Sequence, residues 1–292
     1  MSDGAVTLGT HDRIVTRNRI LSMSDLIAFE SRTTAIVPVV RHRGQQAAAT
    51  TDQIAQEWPV AIVCNGISHA VMMCTPADLE AFALGFALTE GLVARRSDVV
   101  ELEIEWHERS AEIQMTLVQQ AFTDLKVKRR SLAGRSGCGV CGIESIEMLD
   151  LEAEPIEPGT FLANLDPEAV ARAAAALPDR QVLQKQTGGV HAAAWCNAAG
   201  DIVHVCEDVG RHNALDKLIG KIAFARESTQ DGFVFLSSRA SYELIRKAAR
   251  VNVPMIATIS APTSLAINIA KQAGIRLVAF CRGDGFVEYA SA

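Results

Sequence analysis

Cys138 and Cys141 form the one C-x-x-C pair of the sequence, and glycines flank both cysteines in the segment SGCGVCG. Five cations and no acid occupy residues 126–135, whereas six acids and no cation lie between residues 144 and 157. Cationic neighbours lower the pKa of a thiol from about 8.5 toward neutrality, and the thiolate is the form that reacts. Glycines keep the backbone pliable and easy to approach. The pattern therefore predicts a reactive sulfur on a segment that can visit more than one site.

Two other interpretations of this cysteine pair stay open at the level of spacing. One is half of a tetrahedral zinc site, which His204 and Cys206 would complete because residues two apart on a strand share a face. The other is a dithiol redox pair, although such motifs normally open a helix after a strand and this one follows a basic loop.

The other five cysteines lie singly in apolar, strand-like runs, which predicts buried core residues. They are Cys64, Cys74, Cys196, Cys206 and Cys281. An odd number of cysteines without a secretory signal indicates free thiols in a reducing cytoplasm. Cys281 has the least support as a core residue, because its neighbours belong to a candidate ligand site described below.

Composition excludes several classes of protein. Apolar residues make up 49% and charged residues 21% of the 292-residue chain, which indicates a globular protein rather than a disordered one. The formal net charge of -6 provides no overall basic field for nucleic acid or an anionic membrane surface. The longest apolar runs are no longer than a strand, so we expect no transmembrane span.

A dense group of charges at residues 207–213, EDVGRHN, lies between a predicted strand and a predicted helix. Asp208 or Asn213 could cap the helix while Arg211 and His212 are solvated. Alternatively, the helix N-terminus, Arg211 and His212 surround an anionic ligand such as phosphate. The sequence leaves both interpretations open.

Two weaker signals accompany this group. Ser237-Ser238-Arg239 fits a helix N-cap followed by a cation, which would be a second anion site. His191 follows a Thr-Gly-Gly turn at the start of a strand, where we expect a hydrogen-bonded core histidine.

The secondary structure predicted for the first part of the chain is a small α+β unit. Asn65-Gly66 predicts a hairpin between strands at 59–64 and 67–74. Thr75-Pro76-Ala77-Asp78 predicts a helix over 76–90, with Thr75 as its N-cap. The remaining predicted elements are a strand at 34–40, a small-residue connector at 44–51, and strands at 99–106 and 112–117.

From residue 188 onward the pattern changes to alternating strands and helices. Strands are predicted at 190–195, 202–206, 232–236, 254–259 and 275–281, and helices at 213–224, 240–251 and 263–274. This alternation favours an α/β fold with parallel crossovers, in which ligands usually meet the carboxyl ends of the strands.

Several segments together resemble the FdhD family of formate dehydrogenase accessory sulfurtransferases. They are EWPVAIVCNG, MMCTPADLEAFALGFALTEGLV, RSGCGVCGIE, TGGVHAAA, EDVGRHNALDKLIG, SSRASYELIRKAA and SAPTSLAINIA, and they run from about residue 57 to residue 282 in the family's order. The blocks EDVGRHNALDKLIG and CGVCG are the most specific.

The resemblance implies a cytoplasmic sulfurtransferase that accepts persulfide sulfur from a cysteine desulfurase. The sulfur would pass to the molybdenum of the bis-molybdopterin guanine dinucleotide cofactor, for which GDP is an analogue, and the sulfurated cofactor would activate formate dehydrogenase. Cys138 would carry the persulfide and Cys141 would assist. The implied cofactor-binding segment consists of Phe280, Cys281, Arg282, Gly283, Asp284 and Gly285. From the charged residues at the predicted strand ends, we hypothesise that Arg211, His212, Arg239 and Arg282 clamp phosphates.

The implied fold is a three-layer core similar to cytidine deaminases with a smaller α+β subdomain, and a homodimer is expected. The chain then divides into a variable N-terminal segment with one strand (1–56), the α+β subdomain (57–125), a basic and acidic loop region with CGVCG (126–158) and the α/β cofactor-binding core (159–292). A zinc-dependent deaminase-like hydrolase and a non-catalytic molybdenum cofactor chaperone are the alternatives. The sequence lacks the H-x-E and P-C-x-x-C pattern of zinc deaminases, which argues against the hydrolase.

Overall fold

The computed structural model describes residues 32–123, 153–283 and 285–291. The predictions that concern Cys138, Cys141, Asp284 and the charged residues 126–152 around the cysteine pair lie outside the described residues.

A four-stranded sheet forms the smaller lobe, in the order β4-β3-β6-β5. Its strands are β3 (Trp58–Cys64), β4 (Ile67–Cys74), β5 (Val99–Trp106) and β6 (Ala111–Leu117), and helix α1 (Leu79–Thr89) covers one face. The predicted hairpin is confirmed, since Asn65 and Gly66 both take positive φ angles at the turn. Strands β5 and β6 also agree with the sequence prediction.

The N-terminal part of the described chain is a two-stranded hairpin, so the predictions of a connector at 44–51 and of a single strand within 1–56 are wrong. Strand β1 (Thr34–Arg43) pairs along its whole length with β2 (Gln46–Ala55). Most of β2 is exposed on both faces. A strand with no buried face needs no alternation of apolar and polar residues, and its run of Ala and Thr therefore resembles a loop.

Helix α1 begins three residues later than predicted, and Thr75 is not its N-cap. Asp78 occupies that position with a left-handed φ of 52° and makes no side-chain capping hydrogen bond. Thr75 instead accepts the backbone N–H of Val209 through its hydroxyl. The side chain expected to cap the helix is thus used in a contact with the larger lobe.

A six-stranded sheet, in the order β12-β11-β10-β9-β7-β8, forms the larger lobe. Its strands are β7 (His191–Cys196), β8 (Ile202–Asp208), β9 (Phe233–Leu236), β10 (Met255–Thr258), β11 (Arg276–Arg282) and β12 (Gly285–Ala290). The helices of this lobe are α2 (Ala169–Arg180), α3 (Val182–Thr187), α4 (Arg211–Ala225), α5 (Tyr242–Arg250) and α6 (Ser264–Ala273). Short 3₁₀ turns span Arg96–Asp98 and Phe161–Asn164.

The predicted α/β fold with parallel crossovers is confirmed, because β9, β10 and β11 are parallel. Helices α4, α5 and α6 bury one face of the sheet and α2 buries the other, which gives three layers. Strand β12 was not predicted and returns antiparallel along β11. Within the described residues, no helix is both long and apolar enough to cross a bilayer.

The two lobes meet where α1 crosses α4 at a pair of glycines. A Cβ atom at Gly85 would lie 1.7 Å from the carbonyl oxygen of Asp216, and one at Gly220 would lie 1.8 Å from the carbonyl oxygen of Ala81. Only residues without a side chain allow the two backbones to come this close. The crossing fixes α4, and therefore the start of α4, relative to the smaller lobe.

We predict that Gly220→Ala destabilises the protein by roughly 1–3 kcal/mol, because the added methyl group forces the two helices apart. Alanine is otherwise the better helix former by about 1 kcal/mol, so the sign of the effect is diagnostic. Thermal unfolding measures it. Gly159→Ala is the control, since a Cβ there would meet nothing closer than 4.0 Å; a Gly220→Ala variant as stable as this control would contradict the close crossing.

Candidate anion site at the carboxyl edge of the larger sheet

The carboxyl ends of four strands meet at one edge of the larger sheet. Strands β9, β10 and β11 are parallel, and β7 runs antiparallel to both β8 and β9. His191 at the start of β7 therefore pairs with Asp208 at the end of β8. The segments that follow β8, β9, β10 and β11 all lie at this edge, as the sequence predicted for a ligand site.

Asp208 holds the turn between β8 and α4 in place. One carboxylate oxygen accepts the backbone N–H of Gly210 at 2.8 Å and the side-chain amide of Asn213 at 3.0 Å. The other accepts the backbone N–H of Thr75 at 3.0 Å and lies 2.6 Å from the Lys217 ammonium. The predicted capping by Asp208 or Asn213 is thus wrong: Gly210 is the N-cap residue and α4 has no side-chain capping bond. The Asp208 carboxylate instead ties the turn to the smaller lobe.

The Lys217 ammonium balances this buried carboxylate. Neither side chain has any exposed surface. Burial alone would lower the pKa of Lys217, but the charge of Asp208 outweighs this effect and the pKa of Lys217 is raised. Lys217 also donates to the carbonyl of Thr75 at 2.9 Å, which adds another bond between the lobes.

Arg211, His212 and His191 gather where α4 begins. Arg211 and His212 are half-buried rather than fully solvated, and Gly210 provides no side chain to cap the helix. Nε2 of His212 lies 3.8 Å from a carboxylate oxygen of Glu243, at the start of α5. Burial would raise the pKa of Glu243, but its interactions with His212, Ser241 and its own backbone lower it to about 2.

Three arginines at this edge have no carboxylate within 4 Å among the described residues. They are Arg211, Arg239 and Arg282. Elsewhere in the larger lobe, Arg172, Arg246 and Arg276 each pair with an acid. Along the sheet edge the three arginines span about 19 Å, given a strand spacing of about 4.8 Å. An edge with this much uncompensated positive charge is suited to an extended anion.

The structure corrects the predicted capping role of Ser237-Ser238-Arg239. The hydroxyl of Ser237 accepts the backbone N–H of Ala192 at 2.8 Å, and that of Ser238 donates to the carbonyl of Arg239. Helix α5 begins only after Ser241, because Ala240 first bridges to Pro262. Arg239 is therefore exposed at the sheet edge rather than within the first turn of a helix.

The described residues of the segment predicted to bind the cofactor lie at the end of β11, just after it and at the start of β12. Arg282 pairs with Gly285, and Gly283 has a φ of 59° in the turn. Phe280 also has a left-handed φ, 56°, which is strained for a residue with a bulky side chain. Its ring is 42% exposed and lies against Tyr289, with ring centroids 6.4 Å apart.

The prediction of five buried cysteines is confirmed. Cys281 packs inside the core, and burial raises the pKa of its thiol to about 11, so only its backbone is placed to meet a ligand at the edge. Nε2 of His204 lies 3.0 Å from Glu227. The cysteine pair that would complete the alternative zinc site with His204 and Cys206 lies outside the described residues. No group of three metal-ligating side chains occurs among the described residues.

Sequence reasoning missed two functional contacts of the edge. It identified Asp208 only as a local cap, because its partner Thr75 lies 133 residues earlier in the chain and its partner Lys217 lies two turns inside α4. It also missed Glu243, whose contact with His212 joins the first turns of α4 and α5. One signal for the buried ion pair was available in the sequence. Lys217 lies among the apolar residues Leu215, Leu218 and Ile219 of α4, where a buried lysine needs an acidic partner.

The chain is a mixed α/β protein in which one edge of the larger sheet is suited to an anion. Comparisons with known proteins identify the family to which it belongs. The sequence profile of the FdhD/NarQ family matches residues 55–292. A protein of Burkholderia mallei named sulfur carrier protein FdhD is 63% identical over 87% of this chain and 94% of its own. Proteins of the same name from Burkholderia cenocepacia and Chromobacterium violaceum are 61% and 55% identical, each over 92% of this chain and 98% and 99% of their own.

A solved structure has the same fold. The crystal structure of a proposed formate dehydrogenase accessory protein from Desulfotalea psychrophila matches with a TM-score of 0.67 and 24% identity, over 89% of this chain and 97% of its own. The chain belongs to the FdhD/NarQ family.

We predict that Asp208→Asn destabilises the protein by roughly 3–5 kcal/mol, because it leaves the Lys217 charge buried and unpaired. Chemical denaturation measures the loss. The matched control is Asp166→Asn, whose carboxylate lies 2.8 Å from Arg172 on the surface and should be dispensable. Equal stability of the two variants would show that the buried pair does not hold the lobes together.

Proposed function

We propose that this protein is a sulfurtransferase that carries sulfur on Cys138 from a cysteine desulfurase to a molybdenum cofactor required by formate dehydrogenase. Its substrate cofactor is bis-molybdopterin guanine dinucleotide, in which each of the two pterin ligands carries phosphates and a guanine base. Family membership and the names of the relatives support the sulfur-carrier role. The observation that carries the cofactor assignment is the sheet edge with three arginines that have no acid partner among the described residues.

The chemistry of the first step requires one nucleophilic thiolate. The Cys138 thiolate attacks the outer sulfur of the desulfurase persulfide, the donor S–S bond breaks, and a new S–S bond forms on Cys138. The desulfurase leaves as a thiolate, so no net oxidation occurs. Cys138 lies outside the described residues, but the five cations of residues 126–135 favour its thiolate form.

Cys141 provides a way to release the sulfur. Its thiolate attacks the inner sulfur of the Cys138 persulfide, hydrosulfide leaves for the metal, and a disulfide joins the two cysteines. A cellular thiol then reduces that disulfide by exchange. Each buried cysteine is poorly suited to either role, since burial raises the thiol pKa of Cys64 and Cys206, for example, to about 12.

The sheet edge would bind the nucleotide part of the cofactor. Arginine forms charge-assisted and often bidentate hydrogen bonds to phosphate, and the start of α4 adds free backbone N–H groups. The exposed ring of Phe280 offers a flat apolar surface on the same edge for a planar base. Arg211, His212, Arg239, Phe280 and Arg282 are the side chains that we assign to this role.

We predict that incubation with a cysteine desulfurase and cysteine adds one sulfur, about 32 Da, to Cys138. Mass spectrometry of the intact protein and of its peptides measures the addition. Cys138→Ala should lose both the added sulfur and the ability to activate formate dehydrogenase. Cys64→Ala is the control and should keep both. Activation by Cys138→Ala would instead indicate a cofactor chaperone that moves no sulfur.

We predict that GDP binds to the protein and that Arg282→Ala weakens its binding roughly tenfold or more, the value of a charge-assisted hydrogen bond. Isothermal titration measures the affinity. Arg276→Ala is a matched control on the same strand, because Arg276 lies at the other end of β11 and pairs with Glu288. Equal losses in the two variants would remove Arg282 from the nucleotide site.

A further inference from the structure

His191 has a place in the sheet edge that its sequence context did not indicate. It begins β7, opposite Asp208 in the strand register. It shares a face of β7 with Ala193 and Trp195, which pack in the cluster beneath α4. The His191 ring therefore lies on the side of the sheet where α4 begins and where Arg211 and His212 are located.

The expectation of a hydrogen-bonded core histidine is wrong. The residue is half-buried, and among the described residues its ring makes no hydrogen bond. By contrast, the ring of His204, on the neighbouring strand, lies 3.0 Å from the Glu227 carboxylate. The preceding glycine turn does not contribute donors either, because the N–H groups of Gly189 and Val190 bond to Thr187 and Gln184.

The charges that face His191 oppose its protonation in the free protein. Burial, followed by the nearby Arg211 guanidinium, lowers the pKa of His191, and His212 acts in the same direction. Asp208 acts in the opposite direction, but its carboxylate is already engaged by Lys217. Glu243 faces His212 from α5, and Glu207 on β8 is turned toward α3, where it accepts two backbone N–H groups.

We propose that His191 is a further phosphate-binding residue of this edge and that its imidazole takes up a proton when the phosphate binds. The proposal rests on the proposed function, because it assumes that the anion is a nucleotide phosphate. A phosphate between Arg211 and His191 cancels the repulsion that keeps the imidazole neutral. The ring nitrogen acquires its proton from solvent and donates a hydrogen bond to a phosphate oxygen.

The sign of the pH effect follows from this uptake. The complex binds more protons than the free protein, so GDP affinity rises as the pH falls through the pKa of His191 in the complex. The limiting slope for one proton is about tenfold in affinity per pH unit. Loss of the His191 imidazole removes this slope and leaves the contributions of the phosphate's own ionisation and of the other titratable groups of the site, such as His212.

The test compares GDP binding by the wild-type protein and by His191→Asn between pH 6 and pH 8. We expect wild-type affinity to rise with falling pH by several-fold more than that of the variant. At pH 7.5, titrations in two buffers with different ionisation enthalpies should show proton uptake that His191→Asn loses. His204→Asn is the matched control and should behave as the wild type. The ionisation of GDP itself is common to all three proteins and cancels in the comparison.

A second measurement needs no variant. The imidazole C–H resonance of His191, followed by NMR in the full-length protein, should titrate at a higher pH with GDP than without it. GDP binding with equal pH slopes in wild type and His191→Asn, or with an unmoved His191 resonance, would overturn this inference and leave the proposed function standing. Failure of GDP to bind would overturn both this inference and the nucleotide part of the proposed function.

Discussion

The buried contact between Asp208 and Lys217 determines where the candidate site is built. A carboxylate with no exposed surface is costly unless its charge and its lone pairs are satisfied. Here one ammonium, two backbone N–H groups and one side-chain amide satisfy it. One of those N–H groups belongs to Thr75 in the smaller lobe and the other to Gly210, next to the first residue of α4. The pair thus sets the position of Arg211 and His212 relative to both lobes.

A second buried network makes this arrangement rigid. The Lys247 ammonium lies 2.7 Å from Glu90 and 2.9 Å from Asp216, and it joins α5 to α1 and α4. Burial would raise the pKa of Glu90, but the charges of Lys247 and Arg246 lower it to about 2. The glycine crossing of α1 and α4 lies in the same interface. The start of α4 is consequently held in place by contacts of this helix with both α1 and α5.

Local signals in the sequence were sufficient for most of the fold, but not for contacts between distant segments. Asn65-Gly66 identified a hairpin because few other residue pairs adopt positive φ angles so readily. The alternation of short strands and helices along the chain likewise identified the parallel sheet, because each parallel connection needs a crossover. The start of α1 was predicted too early because Thr75 has a partner 134 residues away, which no local pattern reveals. Strand β2 was missed because it has no buried face, and Ser237 was assigned to a cap because its true partner lies on β7.

The distribution of charge is compatible with the anionic ligand that we propose, although the whole chain is acidic. The net charge is -6, yet many acids of the described chain are neutralised locally, as the pairs of Glu90, Asp208, Asp216 and Glu288 show. The arginines of the sheet edge have no such partners among the described residues, so their field is directed outward. Lys217 and Lys247 are buried next to carboxylates, which cancel the contribution of these two lysines to the positive charge of the edge. We therefore expect an anion to be attracted to this edge of the sheet, where the proposed protonation of His191 adds a charge only when the anion is present.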